Sequence, residues 1–359
     1  MCLRPANRQG AELPRTISVT PEWKAVACMS EPKRHHFVPR FYLARWSVRD
    51  MVAVRRRDGG RFDANPTKVA AINGFYDFRA EDGEVSKEVE RFLAHVVEGP
   101  ASSALDLIDA SGRPPALGSD ERHALASFIA FQMVRTPERR AEMMLAESVA
   151  AFLDGRQLTD DLMAEYLETV HLGFKPSTRE ARAAALWVGY QLYHLDPGTS
   201  EMTMRIMYDT ATTLTPTLSA MHWSLAVDRK ERLITADQPV LVWKRPSPRD
   251  AYLGVGIQTA DEIRVPLDPG KQLVLRHRSR PEAIRLSSDD VAACNLDIAT
   301  RCHAFVVASP KQSTIVDAVR LRARGPAVRF DVGFRYERDD RGQLVKTEDE
   351  ILHTWLSRL

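Results

Sequence analysis

Near the start of the chain, Lys33-Arg34-His35-His36-Phe37-Val38-Pro39-Arg40-Phe41-Tyr42-Leu43 gathers two imidazoles, three cations and a phenol around one proline. Imidazole titrates near neutrality, so adjacent histidines suit general acid–base catalysis or metal ligation. Pro39 pushes Val38 and the residues before it toward an extended conformation, in which successive side chains point to opposite faces. One histidine then enters a site while the other packs beside it, and His36 is expected to face inward. Arg40, Tyr42 and Arg45 follow as expected substrate contacts, the guanidiniums for phosphate oxygens.

The carboxylates that would complete such a site lie far away in sequence. From Val85 to Val97 the apolar residues Val85, Val89, Phe92, Leu93, Val96 and Val97 fall within about 140° of one helical face. Glu90 sits just beyond the edge of that stripe, and Glu98 about 80° further round at about 100° per residue. Ser119 reads as the N-cap of a helix reaching Arg135 and stopped by Pro137. In its apolar stripe of Leu125, Phe128 and Ile129 stands Gln132, with Arg135 on the same flank. A buried amide without partners costs about 1–3 kcal/mol, so Gln132 must be hydrogen-bonded, either as a core glutamine or as a residue orienting a site. Asp237, at the end of a short strand before Gln238-Pro239, delivers a carboxylate to a rim or caps the turn.

Together these residues fit a metal-dependent hydrolase cleaving phosphodiesters, hence nuclease-like. In that reading His35, His36, Gln132 and Asp237 are catalytic, and Arg40, Tyr42, Arg45 and Arg135 bind substrate. His36, Glu90, Glu98 and Asp237 hold a divalent Mg or Mn ion that activates water and stabilises the leaving oxygen. Ten Lys or Arg against three acids between Lys33 and Lys68 supply a steering field, so nucleic acid is the expected partner. The His-His-Phe-Val-Pro run is similar to the strand end of ββα-metal nucleases, but Asn65 and Asn73 stand too far downstream and the second histidine is absent. The alternative is a non-catalytic binding or sensor protein, in which His36, Gln132, Arg135 and Asp237 hold a small anionic ligand and Arg135 makes the bidentate contact. A polar network without any ligand is the third option.

Taken in order, the blocks His35-His36-Phe-Val-Pro-Arg-Phe-Tyr-Leu43, Gln132-Met-Val-Arg135 and Thr235-Ala-Asp237-Gln-Pro239 resemble a bacterial family classed as domain of unknown function 4238. Its usual blocks are HHxVPxxYL, QxxR and TSDxP. Arg40 stands where glutamine is common, and Ala236 where serine is common. The resemblance spans residues 33 to 308 and implies a shared fold and shared site residues. It brings no activity with it.

The elements that must position these groups form blocks. Met51 to Asp63 reads as a hairpin around Gly59-Gly60. Residues 138 to 220 are helical in pattern, and short β-branched strands follow from Trp223 to Val307. Helices and strands in blocks rather than alternation give an α+β fold, with a helical N-terminal and central part packed on a mostly antiparallel C-terminal sheet. The expected organisation is an arm over residues 1–32, with Met29 a candidate start codon, one α+β domain over 33–330, and a C-terminal extension over 331–359.

With 44% hydrophobic residues, the 359-residue chain can bury one large core or two modest ones. No run approaches the roughly 18 apolar residues of a membrane span, so a cytoplasmic location without a membrane partner is expected. Its four cysteines form no CxxC pair, and Cys294, Cys302 and His303 lack a fourth zinc ligand. The net charge of +2 excludes a globally basic nucleic-acid binder. Gly254-Val-Gly256 lacks the third glycine of a dinucleotide loop, and no GxSxG elbow occurs.

Overall fold

The computed structural model describes residues 34–57, 59–79, 85–86, 88–170, 175–194, 200–245, 255–279, 281–319, 321, 329–341 and 343–355. The arm over 1–32 and Met29 lie outside them.

The first segment contains β1 (Arg34–His36), α1 (Arg40–Ala44), β2 (Val52–Arg56), β3 (Arg61–Ala64) and β4 (Ala71–Asn73). Pro39 is the N-cap of α1, with φ −61° and ψ 145°. The expected hairpin is present as β2 and β3, with Gly59 at φ +98° in the turn, a region open to glycine without a Cβ penalty. Short strands β5 (Phe78–Arg79) and β6 (Val85–Ser86) precede α2 (Glu88–Phe92), a π-helical segment Leu93–Glu98 and α3 (Gly99–Ser111). The helix expected from Val85 thus starts at Glu88. The chain runs on through Gly99-Pro100 into α3, with Pro100 in its first turn.

Ser119 does cap α4 (Asp120–Val134), its hydroxyl accepting the Arg122 N–H at 3.2 Å. Helices α5 (Pro137–Met143), α6 (Leu145–Leu153), α7 (Asp160–Val170), α8 (Thr178–His194) and α9 (Ser200–Ala220) continue the helical block. After them come β7 (His222–Val227), β8 (Thr235–Ala236), β9 (Leu241–Trp243), β10 (Glu262–Asp268), β11 (Lys271–Arg276), β12 (Ala283–Arg285), α10 (Ser288–Arg301), β13 (Phe305–Ala308) and α11 (Ser313–Ala318). A last hairpin, β14 (Arg329–Arg338) and β15 (Leu344–Trp355), occupies most of the expected extension and lies against α8.

The strands make a five-stranded sheet, β12-β7-β11-β10-β9, and a four-stranded sheet, β3-β2-β13-β8. Only the β12–β7 pair in these two sheets is parallel, so the fold is α+β with mostly antiparallel pairing. The early hairpin shares its sheet with β8 and β13, which sequence blocks alone do not indicate. In the main core, Tyr42 and Leu43 of α1 and Trp46 just beyond it pack with Phe128 and Ile129 of α4 and with Leu273 and Leu275 of β11. Buried Trp46 donates its indole N–H to the Leu233 carbonyl at 3.2 Å, as a buried indole requires. A separate cluster, including Val149, Met163 and Val188, joins α6, α7 and α8. Among the described residues no helix is long and apolar enough to cross a membrane.

Candidate functional site

Strand β1 pairs with β4 in the register His35↔Ile72 and His36↔Ala71, so the two imidazoles do point opposite ways. His35 has no exposed surface, whereas His36 is half-buried. The Tyr76 N–H donates to His35 Nδ1 at 2.9 Å, which puts the imidazole proton on Nε2, 3.6 Å from Asp77 Oδ1. The His35 ring also stacks on Tyr76 at a centroid distance of 5.7 Å. Gly74 turns the chain into this Tyr76-Asp77 pair at φ +62°, and a Cβ there would lie 2.8 Å from Asp77 Oδ2.

His36 faces a different set. Its Nε2 lies 3.2 Å from the Thr67 carbonyl, which can only accept, so Nδ1 carries the lone pair. Burial lowers the His36 pKa, the Thr67 bond opposes this, and the charges of Arg34, Arg135 and Arg40 lower it further. The imidazole is therefore neutral at pH 7. The His36 main chain is held from both sides: the Tyr76 hydroxyl donates to its carbonyl at 3.4 Å, and its N–H bonds to the Glu90 carboxyl.

Behind this edge is a buried polar network. Gln132 donates to the Phe37 carbonyl at 2.8 Å and accepts from Arg135 Nε at 3.1 Å and Nη2 at 2.9 Å. Arg135, 1% exposed, reaches Glu98 Oε1 through Nη1 at 2.7 Å. The partners that Gln132 had to have are thus a backbone carbonyl and a guanidinium. Burial raises the Glu98 pKa against the pull of Arg135, while Arg135 keeps its proton. Glu90, half-buried at the rim, is pushed up to about 8, first by burial and then by the Glu98 charge, with Arg135 opposing.

The π-helical segment explains why Glu90 feels the charge of Arg135 although only Glu98 bonds to it. Its wider i→i+5 turns rotate less per residue than an α-helix, which undoes much of the 80° separation expected from regular periodicity.

Asp237 belongs to another cluster. It is 2% exposed, and its carboxylate accepts the backbone N–H groups of His303, at 2.9 Å, and Ala304. Its own N–H donates to the Phe305 carbonyl at 3.3 Å. Burial drives its pKa up to about 6 despite these bonds, and Glu138 adds to the rise. The side-chain amide of Gln238 donates to Glu138 on α5. Rather than capping its own turn before Pro239, Asp237 caps the chain entering β13.

Several expected substrate contacts have internal partners. The Tyr42 hydroxyl, fully buried, donates to the Pro266 carbonyl at 2.6 Å and accepts from Thr235 Oγ1 at 2.9 Å. Arg45 donates to the Leu267 carbonyl at 2.7 Å, Asp109 at 2.9 Å and Asp268 at 3.0 Å, tying α1 to α3 and to the β10–β11 turn. Arg135, expected to grip a ligand, is engaged by Glu98 and Gln132. Arg55 and Arg57 bond to carbonyls near Val316 and at Cys302, and Arg61 pairs with Asp317, so much of the basic segment is structural. Arg40 remains exposed at the start of α1. Of the four expected metal ligands, His36, Glu90 and Glu98 border the Arg135 network. The Asp237 carboxylate is bonded to backbone amides instead. Among the described residues, no three His, Cys, Asp or Glu side chains are grouped so as to hold a metal ion.

Residues 34–312 match the family described as protein of unknown function (DUF4238), more than half of the chain. The chain belongs to the DUF4238 family. The span matched by the DUF4238 family takes in β1, α4, β8 and β13, the elements that build both clusters. No curated protein and no solved structure matches the chain.

Sequence reasoning missed Tyr76, Asp77, Glu138 and Gln238. The Asn73-Gly74 turn signal marked where the first two would bend back toward β1. Nothing local marked the Glu138–Gln238 pairing, which joins residues 100 positions apart.

Proposed function

We propose that this DUF4238 protein is a phosphoester hydrolase in which His36 is the general base and Glu90 the general acid. One observation supports this most: a half-buried imidazole and a half-buried carboxyl, joined through the His36 N–H, stand at the rim of a network that holds both in their uncharged forms at pH 7. Titratable groups whose pKa values are driven in opposite directions take the acid and base roles. His36 Nδ1 accepts a proton from the attacking water, and Glu90 donates its proton to the departing oxygen. The two protons then exchange with solvent. Arg34 and Arg40, exposed beside His36, attract the anionic ester.

A metal-assisted version would use His36 and Glu90 with water and substrate oxygens completing the shell, since Mg is often held by only one or two protein carboxylates. The acid–base version needs only the His36 imidazole and the Glu90 carboxyl.

The test is turnover of aryl phosphodiesters, aryl phosphomonoesters and single- and double-stranded nucleic acid, with and without Mn or chelator. His36→Ala and Glu90→Gln are expected to cut turnover by about 10²–10⁴-fold while remaining folded. The pH–rate profile is expected to be bell-shaped, falling above about 8 as Glu90 loses its proton and falling on the acid side as His36 gains one. Absence of turnover on every substrate, or unchanged rates in both variants, overturns the hydrolase reading. Chelator-sensitive turnover favours the metal-assisted version.

A further inference from the structure

The Phe75-Tyr76-Asp77 turn that flanks the site faces a guanidinium other than Arg135. Arg140, on α5, lies with its Cζ 4.9 Å from the centroid of the Phe75 ring. Its Nε donates to Met144 Sδ at 3.4 Å, a weak acceptor. Its Nη1 is buried and has no hydrogen-bond partner among the described residues.

Buried polar groups are ordinarily paired, and the guanidiniums of Arg122, Arg45 and Arg135 follow that rule, whereas Arg276, paired with Glu262 through its other nitrogens, also leaves Nη1 over. Arg122 donates to the carbonyls of Ser219, Pro115 and Met221, and Arg45 and Arg135 have the carboxylate and carbonyl partners given above. Burial makes the Arg140 charge harder to hold, with Tyr76, Asp77 and Glu147 acting to retain it. A guanidinium fixed on an aromatic face with an N–H left over is preorganised for an oxyanion, whose charge-assisted bonds would complete it.

We propose that Arg140 is a binding residue for a phosphate-bearing group, seated against Phe75 beside the Tyr76-Asp77 turn. The assignment rests on the reading of His36 and Glu90 as a phosphoester site, and it names the side chain that holds the ester in place. It also moves the anion contact from Arg135 and Arg45, which are engaged internally, to a residue on the neighbouring helix.

Thermal unfolding of the full chain in inorganic phosphate, against chloride at matched ionic strength, tests this without requiring turnover. Wild type is expected to show a phosphate-specific rise in Tm that grows with concentration, as for any ligand bound only by the folded state. Arg140→Gln should abolish the rise, and Arg140→Lys should reduce it, because lysine keeps the charge but loses the planar fork. Absence of a phosphate-specific rise in wild type, or an equal rise in Arg140→Gln and Arg140→Lys, overturns the assignment. A rise that depends on Arg140 in a protein that turns over no ester supports the binding site and removes the hydrolase reading alone.

Discussion

Asp237 and Glu90 are both carboxyl groups whose pKa burial has raised, to about 6 and about 8, yet their surroundings differ in kind. Around Asp237 the fold supplies the backbone N–H groups of His303 and Ala304, and the side chain is closed off from solvent. Around Glu90 it supplies one N–H from His36, a second carboxylate at Glu98 and an open side. The first arrangement holds two strands together. The second leaves a half-buried acid bonded to the main chain of a half-buried histidine. A raised pKa alone thus reports desolvation, and only the exposure and the neighbouring titratable group distinguish chemistry from architecture.

The largest expected effect comes from breaking the support beneath Glu90. Arg135→Met leaves Glu98 buried without its partner and frees the Gln132 carbonyl, and is expected to destabilise the protein by about 3–5 kcal/mol in denaturant unfolding. A loss below about 1 kcal/mol would mean that water already reaches the Glu98–Arg135 pair. Next in size is Asp237→Ala, which orphans the two amides entering β13 and should cost about 2–3 kcal/mol. If His36 and Glu90 carry the chemistry, whatever fraction of this variant remains folded should keep its activity. A folded but inactive Asp237→Ala protein would move Asp237 back into the site and erase the contrast with Glu90.

How much of this could be read beforehand follows from the range over which each residue acts. Gln132 was legible because the penalty for an unpaired buried amide is local and unavoidable, and the Ser119 cap was legible because it satisfies its own helix. The opposite orientation of His35 and His36 followed from strand alternation, but which of them is buried depends on the turn at Gly74, nearly 40 residues later. Tyr42 and Arg45 looked like substrate contacts because their partners, Pro266, Leu267 and Asp268, lie more than 200 residues away. Regular helical periodicity put Glu90 and Glu98 about 80° apart, near enough to approach one cleft, but the closer alignment was not legible, since a π-helical segment leaves no plain mark in the apolar pattern.

The smallest energetic effect bears most directly on the comparison. Glu90 in the folded chain holds its proton to about pH 8, against an ordinary value of 4.5, so the folded state binds that proton more tightly than the unfolded state. The stability this gives is present in acid and is lost as pH rises from the ordinary value through about 8. Glu90→Gln stays neutral and escapes the loss, so it should overtake wild type in stability at alkaline pH by on the order of 1–2 kcal/mol, the worth of about 1.4 kcal/mol per pH unit being cut by solvent screening at this half-buried carboxyl. The direct measurement is a carbon-13 NMR titration of the Glu90 side-chain carboxyl in the intact protein. A midpoint near 8 is the predicted result. A midpoint near the ordinary 4.5 would show Glu90 ionised at pH 7 and contradict its assignment as the acid partner of His36.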